Sequence, residues 1–447
     1  MTPIGLTVLG GDPMPAAGAA TPRPAGVGDD ERCAGGPRDS AGAQRTVADL
    51  PAIVHGVEGV DGAYIHVPFC FHKCHYCDFY SFVDRDDRQA SYVARLIDEI
   101  ASAASRWTRP VETIFVGGGT PTLLAAGLWR ELLGAMRRHL PLAAGGEFTV
   151  EANPETVTRE LADVLVAGGV NRASIGAQSF DPHQLRTLER WHDPSSVRRA
   201  VETFRAAGID DISIDLIFGI PGETLEKWSH DLDQALSLHT DHLSCYGLTY
   251  EPNTAMTSRL RAGEFIPCDD ELEAAMLEMT IDRLAAAGFE QYEISNWARR
   301  RAPSSARSDP ARAARTHRCR HNLGYWRNRD WWAFGPSASA HVQGVRWRNV
   351  PRLGDWLATT PWSPVIDVES VDARTRSGEL LMLGLRLIDG LEARVVDELL
   401  ATGADAVERR AAFTRHVDLG LLVRRGGNWA LTRRGLLLAN EVLVDLV

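Results

Sequence analysis

Cys70, Cys74 and Cys77 fall within eight residues, in the tract Tyr64-Ile-His-Val-Pro-Phe-Cys70-Phe-His-Lys-Cys74-His-Tyr-Cys77-Asp-Phe-Tyr. Three thiolates at x3 and x2 intervals can reach three corners of one cubane 4Fe–4S cluster and leave the fourth iron without a protein ligand. Such an iron is free to bind a further molecule. Structural zinc is the other chemistry these residue types allow, since His72 or His75 could add a fourth ligand; closed zinc sites usually take two ligand pairs separated by a longer loop. The remaining cysteines, Cys33, Cys245, Cys268 and Cys319, are scattered singly. An odd count with one tight cluster reads as a metal site in a reducing compartment, not as a disulfide framework.

Positioning three thiolates requires a rigid frame, and the flanking sequence supplies one. Short β-rich runs at 63–68, 111–116, 147–151, 172–176, 211–218 and 242–249 alternate with amphipathic segments at 88–105, 123–139, 157–167, 195–207, 224–238 and 269–287. Gly168, Gly208 and Gly288 stand where a glycine ends a helix. Six such units predict an α/β fold with a parallel sheet and right-handed crossovers, curved into a partial (β/α)6 TIM-like barrel. The cysteine loop follows the first strand, at the barrel end that carries chemistry.

The chain has 447 residues, 44% hydrophobic and 24% charged, which supports a buried core and smaller appendages. A formal net charge of -11 excludes a generic nucleic-acid binder, whose affinity rests on Lys and Arg at phosphates. No run approaches the roughly 18 apolar residues of a membrane span, and the N-terminus shows no basic region followed by an apolar stretch, so a cytoplasmic location is expected. Residues 1–48, rich in Gly, Ala and Pro, read as a disordered tail, and the Arg-, Ala- and Pro-rich run at 299–318 as a solvated insertion. From Asp372 onward the pattern becomes helical, closing with short strands at 421–423 and 429–431 around a Gly-Gly turn; this small helical module is winged-helix-like.

Cys-x3-Cys-x2-Cys after a strand, followed by the β/α repeat, resembles the signature of the radical S-adenosylmethionine (SAM) superfamily. YIHVPFC, GGGTPT, VEANPE (150–155), SIGAQSF (174–180), DLIFGIPGET (215–224), YEISN (292–296) and RHNLGYW (320–326) resemble more closely its coproporphyrinogen III oxidase-like branch, which includes the HemW heme chaperones. The resemblance covers residues 62–445. It implies a radical SAM core at 62–297, a disordered insertion at 298–318, a heme-segment extension at 319–370 and a HemN/HemW-type C-terminal domain at 371–447. It further implies a 4Fe–4S cluster on Cys70, Cys74 and Cys77, and SAM contacts at Tyr64, Tyr76, Gly118, Gly119, Thr120, Glu151, Gln178, Arg190, Asp215 and Thr249. These residue types suit the groups that SAM presents, because carboxylates accept from ammonium and hydroxyl groups and a guanidinium pairs with a carboxylate.

Within this branch two readings stand apart. Members that decarboxylate coproporphyrinogen III carry a further cysteine two positions after the third, where this chain has Phe79. The tract His321-Asn322-Leu323-Gly324-Tyr325-Trp326 resembles the segment linked to heme in the chaperones, and imidazole is a common axial ligand of heme iron. Pro336 and Ser337 depart from the usual Gly-Ala-rich course just beyond it. The resemblance therefore implies a heme chaperone that passes heme to acceptor hemoproteins such as respiratory ones, with peripheral membrane association as a companion expectation. The rival is an oxygen-independent coproporphyrinogen III dehydrogenase, in which a SAM-derived radical takes hydrogen from a propionate side chain and carbon dioxide leaves.

Overall fold

The computed structural model describes residues 56–105, 107–299, 317–359 and 364–447. The tail read at 1–48 and most of the 298–318 insertion lie outside them.

Six parallel strands follow one another in sheet order: β1 Gly62–Val67, β2 Val111–Gly118, β3 Leu142–Ala152, β4 Arg172–Gln178, β5 Asp211–Phe218 and β6 His242–Gly247. The helices between them are α1 Gln89–Ala104, α2 Ala126–His139, α3 Arg159–Ala167, α4 Pro182–Thr187, α5 Pro194–Ala207 and α6 Leu225–Ser237, and β6 is followed by α7 Ala255–Arg261 and α8 Asp270–Ala286. Side-chain oxygens of Thr158, Asp181, Asp193, Thr224 and Asp269 accept the first free N–H groups of α3, α4, α5, α6 and α8. Gly208 closes α5 at φ +107°, a left-handed value that costs glycine little. Gly168 ends α3 as expected; it stays right-handed, and Gly169 takes the positive φ. This is the expected radical SAM type of α/β fold.

The sheet runs further than the repeat predicted. An antiparallel pair, β7 Phe289–Glu293 and β8 Asn296–Arg299, extends it beyond β6. On the other side β9 Trp331–Phe334 pairs parallel to β1, followed by antiparallel β10 Ser339–Val342, β11 Val345–Asn349 and β12 Val365–Ser370. These strands hide from period-two reading because they are short, and β9 is buried on both faces. Arg299, read as the start of the insertion, belongs to β8, and Arg318 at its other end pairs with Asp389 and Glu290.

Helix α9 Arg320–Trp326 closes the barrel at the N-terminal ends of the strands. Glu147 on β3 reaches it from inside: its carboxylate accepts the backbone N–H groups of Arg320 (2.8 Å) and His321 (3.0 Å). A buried carboxylate thus caps a helix whose own first residues offer no side-chain cap. After α10 Leu353–Leu357, the C-terminal module comprises α11 Ala373–Leu385, β13 Leu391–Glu392, α12 Ala393–Leu400, α13 Ala406–Asp418, β14 Leu422–Arg425, β15 Asn428–Leu431, α14 Arg433–Leu437 and α15 Ala439–Val444. It has its own core around Leu385, Val396, Phe413 and Val442. Its hairpin turns on Gly426 and Gly427, both at positive φ, which suits the right-handed twist of the strands.

Glu147→Ala should lower the unfolding free energy by about 2–3 kcal/mol, because one buried and one half-buried donor lose a charged acceptor. Glu147→Gln, which keeps an acceptor, should recover part of the loss in denaturant titrations. An Ala variant as stable as the parent would mean that α9 is held by other contacts.

Candidate functional site

The cysteine loop leaves the C-terminal end of β1 and is clamped by its own backbone. Cys70 N–H donates to Phe82 O (2.9 Å) and Phe82 N–H to Pro68 O (3.0 Å), while the Lys73 ammonium caps the carbonyls of Phe79 (3.1 Å) and Ser81 (3.2 Å). Thr120 Oγ1 lies 3.6 Å from Cys70 Sγ, and Arg190 Nη1 lies 3.7 Å from Cys74 Sγ. Burial pushes the Cys70 thiol up, and burial with the neighbouring Cys70 and Cys74 pushes Cys77 up to about 12. Bare Cys70 and Cys77 thiols stay protonated; bound iron is what would deprotonate them. Closed tetrahedral zinc takes four Cys or His ligands, usually in two pairs split by a longer loop, whereas this loop offers three closely spaced thiols. A cubane, which takes each thiolate on a different iron, fits this donor set better.

Most of the residues proposed for SAM stand around this loop at the strand ends. Gly118 N–H donates to Glu151 Oε2 (3.1 Å) at φ +106°. A Cβ on Gly117 would lie 2.7 Å from the same carboxylate oxygen, and one on Gly119 would lie 2.6 Å from Phe69 O. Glycines are therefore required for the turn to meet the cysteine loop. Arg190 donates to Gly176 O (2.8 Å), and the Gln178 amide reaches over the same glycine from a residue at φ +64°. Asp215 is caged by Ser174, which lies 2.9 Å from Oδ2, and Ser213, 3.2 Å from Oδ1. Burial raises the Asp215 carboxyl against these hydroxyls; burial, with Asp215 nearby, raises Glu151 too. Tyr64 hydrogen-bonds His66 Nδ1 (3.0 Å), and Tyr76 is half-buried beside Cys74 and Arg190. Thr249 is exposed in the loop after β6.

His321 stands elsewhere. Thr113 Oγ1 is 2.8 Å from its Nδ1 and Tyr325 OH 2.9 Å from its Nε2, so both ring nitrogens are engaged. Its ring stacks on Phe115, and burial lowers its pKa to about 3. It also packs on Gly62, the first residue of β1, whereas the cysteines follow the last. Asn322 is buried, and Trp326 carries the Arg386 guanidinium over its ring at 4.9 Å. A cleft of about 160 Å³ opens beside His321, with Arg320, Arg327, Tyr325 and Trp331 in its wall.

Sequence reading missed the groups that line the lumen between the two ends. His66, lowered to about 4 by burial, holds Tyr80 O at 2.7 Å. Arg172, despite burial that disfavours charge, is held above the ordinary guanidinium range by Cys319, Asp211 and Glu147. Both ring nitrogens of His192 are buried without protein partners, as is Nε of Arg190, which the sequence did single out. Ser213 and Asp215, two apart on β5, were the available signal: alternate positions share a face.

A model of the radical SAM superfamily matches residues 64–235, and one of the HemN C-terminal domain matches 371–438. The chain is 36% identical to "Heme chaperone HemW" of Mycobacterium tuberculosis over 392 residues, covering 86% of this chain and 94% of that one. The chain belongs to the HemW family. The same-named proteins of Bacillus subtilis (34% over 384 residues, 85% and 97% covered) and Escherichia coli (35% over 391 residues, 85% and 96%) agree. Coproporphyrinogen III oxidase (HemN) from Escherichia coli, a solved radical SAM enzyme, shares the fold at TM-score 0.73 and 21% identity, with 88% of this chain and 91% of that one covered. Membership in the radical SAM superfamily brings a 4Fe–4S cluster and SAM as cofactors. The residues present fit them: the glycine cradle at 117–119 leaves room only without side chains, and Arg190 keeps an unpartnered buried donor.

Gly119→Ala should disturb the cysteine loop, because its Cβ meets backbone, and overpacking of this kind costs about 1–3 kcal/mol. Anaerobic reconstitution followed by iron analysis should find less iron bound than in the parent. Undiminished iron would show that the loop can shift away from the turn.

Proposed function

We propose that this chain is a heme chaperone: it binds heme and passes it to acceptor hemoproteins, on a scaffold that also holds a 4Fe–4S cluster and SAM. Cys70, Cys74 and Cys77 would hold the cluster, and Tyr64, Tyr76, Gly118, Gly119, Thr120, Glu151, Gln178, Arg190, Asp215 and Thr249 would frame SAM. When bound, the pair supplies an open iron site and a reducible sulfonium. This chain's own part is to orient them: Arg190 pairs with a carboxylate, Asp215 accepts from hydroxyls, and the glycine turn offers backbone amides.

The observation that carries the reading is the separation of the two ends. The heme segment meets the start of β1 and the cysteines follow its end, so the six residues of β1 place them about 17 Å apart. A macrocycle held at the heme segment is out of reach of chemistry at the cluster, which suits carriage better than decarboxylation. Phe79 in place of the extra cysteine and the HemW relatives support the same reading. His321 becomes an axial ligand only by giving up Thr113 or Tyr325, and the cleft beside it admits an edge of a heme. Arg320 and Arg329, which now share Glu112 at 3.2 and 3.0 Å, are placed for propionates.

Six unpaired cysteines among the described residues suit a cytoplasmic setting. None of the described helices is long and apolar enough to cross a membrane, so contact with a membrane on the way to a respiratory acceptor would be peripheral.

Reconstituted protein should bind heme with a Soret band that changes in His321→Ala. Tyr325→Phe, which frees Nε2, should tighten binding about fivefold, the worth of one hydrogen bond of about 1 kcal/mol. Coproporphyrinogen III should remain unconverted. Protoporphyrinogen IX formed with stoichiometric 5'-deoxyadenosine would overturn the chaperone in favour of the dehydrogenase.

A further inference from the structure

A line of buried hydrogen bonds runs down the lumen from Asp215 to the heme segment. Ser213 Oγ lies 3.2 Å from Asp215 Oδ1 and 2.8 Å from His242 Nδ1. His242 Nε2 lies 2.9 Å from Tyr292 OH, and Asn322 Nδ2 lies 3.5 Å from both that hydroxyl and Glu293 Oε1. Asn322 sits in α9, beside His321.

The proton positions along this line follow from its upper end. A carboxylate only accepts, so Ser213 donates its single proton to Asp215 and must accept from His242 Nδ1–H. With one ring proton spent there, His242 Nε2 is an acceptor, and Tyr292 O–H donates to it. The Tyr292 oxygen is then left to accept from Asn322. Burial keeps His242 neutral, as this single-proton arrangement requires. Every donor therefore points towards Asp215, and all members are buried or, in the case of Asp215, half-buried.

We propose that this line couples the two ligand sites: occupancy of the SAM pocket at Asp215 is transmitted through Ser213, His242 and Tyr292 to Asn322, and so sets the affinity of the heme segment. The inference rests on the heme-chaperone reading and adds its regulation. A ligand hydroxyl on Asp215 competes with Ser213 for the carboxylate. Ser213 can then turn its proton elsewhere, His242 loses the constraint on its tautomer, and the Tyr292–Asn322 contact weakens or reverses. Chains of hydrogen bonds polarise one another in a low-dielectric interior, so a change at one end is felt at the other. His242 and Tyr292 touch neither ligand and act as positioning residues.

The test is a heme titration of the anaerobically reconstituted full chain, read at the Soret band, with and without saturating SAM. In the parent the heme dissociation constant should change by about fivefold or more, and SAM affinity should change by the same factor when heme is bound, because coupling is reciprocal. Tyr292→Phe removes one hydroxyl and with it the contact to Asn322, so it should bring both ratios to about one, with heme affinity in the absence of SAM moved to the value that the parent shows with SAM bound. His242→Leu, with its thermal midpoint recorded, serves as a second break in the line. A parent ratio of one, or an unchanged ratio in Tyr292→Phe, would overturn the coupling while leaving heme binding intact. Failure of the parent to bind heme at all would instead remove the chaperone reading and the coupling with it.

Discussion

Glu147 decides how this barrel ends. Its carboxylate leaves β3 inside the lumen and accepts the first backbone N–H groups of α9, so the helix that carries His321 and Asn322 is drawn against the strand starts and cannot lie elsewhere. The helix's N-terminal partial positive charge offsets the buried anion, and neither group would be tolerated there without the other. From that contact follow the floor of the barrel, the distance between α9 and the cysteine loop, and the polar column between them. Cys319 and Arg320, flanking the cap, add contacts to Glu147 itself and to Gly145 O.

The lumen above the cap is unusual for a protein core in being lined by ionisable groups. Two carboxyls, Glu151 and Asp215, face one cavity end and oppose each other's ionisation, while Arg172 lies deeper with Asp211 at 3.9 Å. Such an array is stable only when each member has partners, and three strand-borne serines supply them to Asp215. The arrangement trades stability for readiness: carboxyls already stripped of water need little reorganisation to accept a ligand's donors. At the outer rim the loop after β4 does related work, with His72 stacked on the exposed Trp191 at 4.0 Å while Glu189 accepts the indole N–H.

What was legible in the sequence was what is local. The cysteine spacing, the glycine turn at 117–119 and the six strand–helix units each announce themselves within a few residues, and the strands appear within a few residues of their expected limits. The type of end was legible too, because loops after parallel strands gather on one face. The position of α9 was not. RHNLGYW reads as a motif, but the partner that anchors it, Glu147, lies far back in the chain and looks in isolation like one polar residue in a strand. The sheet extension was hidden for a related reason. Trp331, Trp332 and Phe334 are large apolar residues without alternation, and only pairing with β1 makes them a strand. The lumen line was equally invisible, since Ser213, His242, Tyr292 and Asn322 come from four separate elements.

The state of His321 bears on what a carrier needs. A neutral imidazole with both nitrogens bonded, stacked on Phe115 and packed against Gly62, gives up a hydrogen bond before it can meet a metal. Breaking one such bond costs on the order of 1 kcal/mol, and leaving Thr113 or Tyr325 unpaired in a dry site costs more. That cost is subtracted from any heme affinity the segment provides. A storage protein would be selected to remove it, for instance by placing a phenylalanine at Tyr325. A protein that must surrender its heme gains from keeping it, because the internal partner stands ready to reclaim the imidazole and speeds departure. Within the chaperone reading, the Tyr325 hydroxyl is thus a built-in competitor for the ligand, and the closed geometry of the floor is the release state rather than an obstacle to binding.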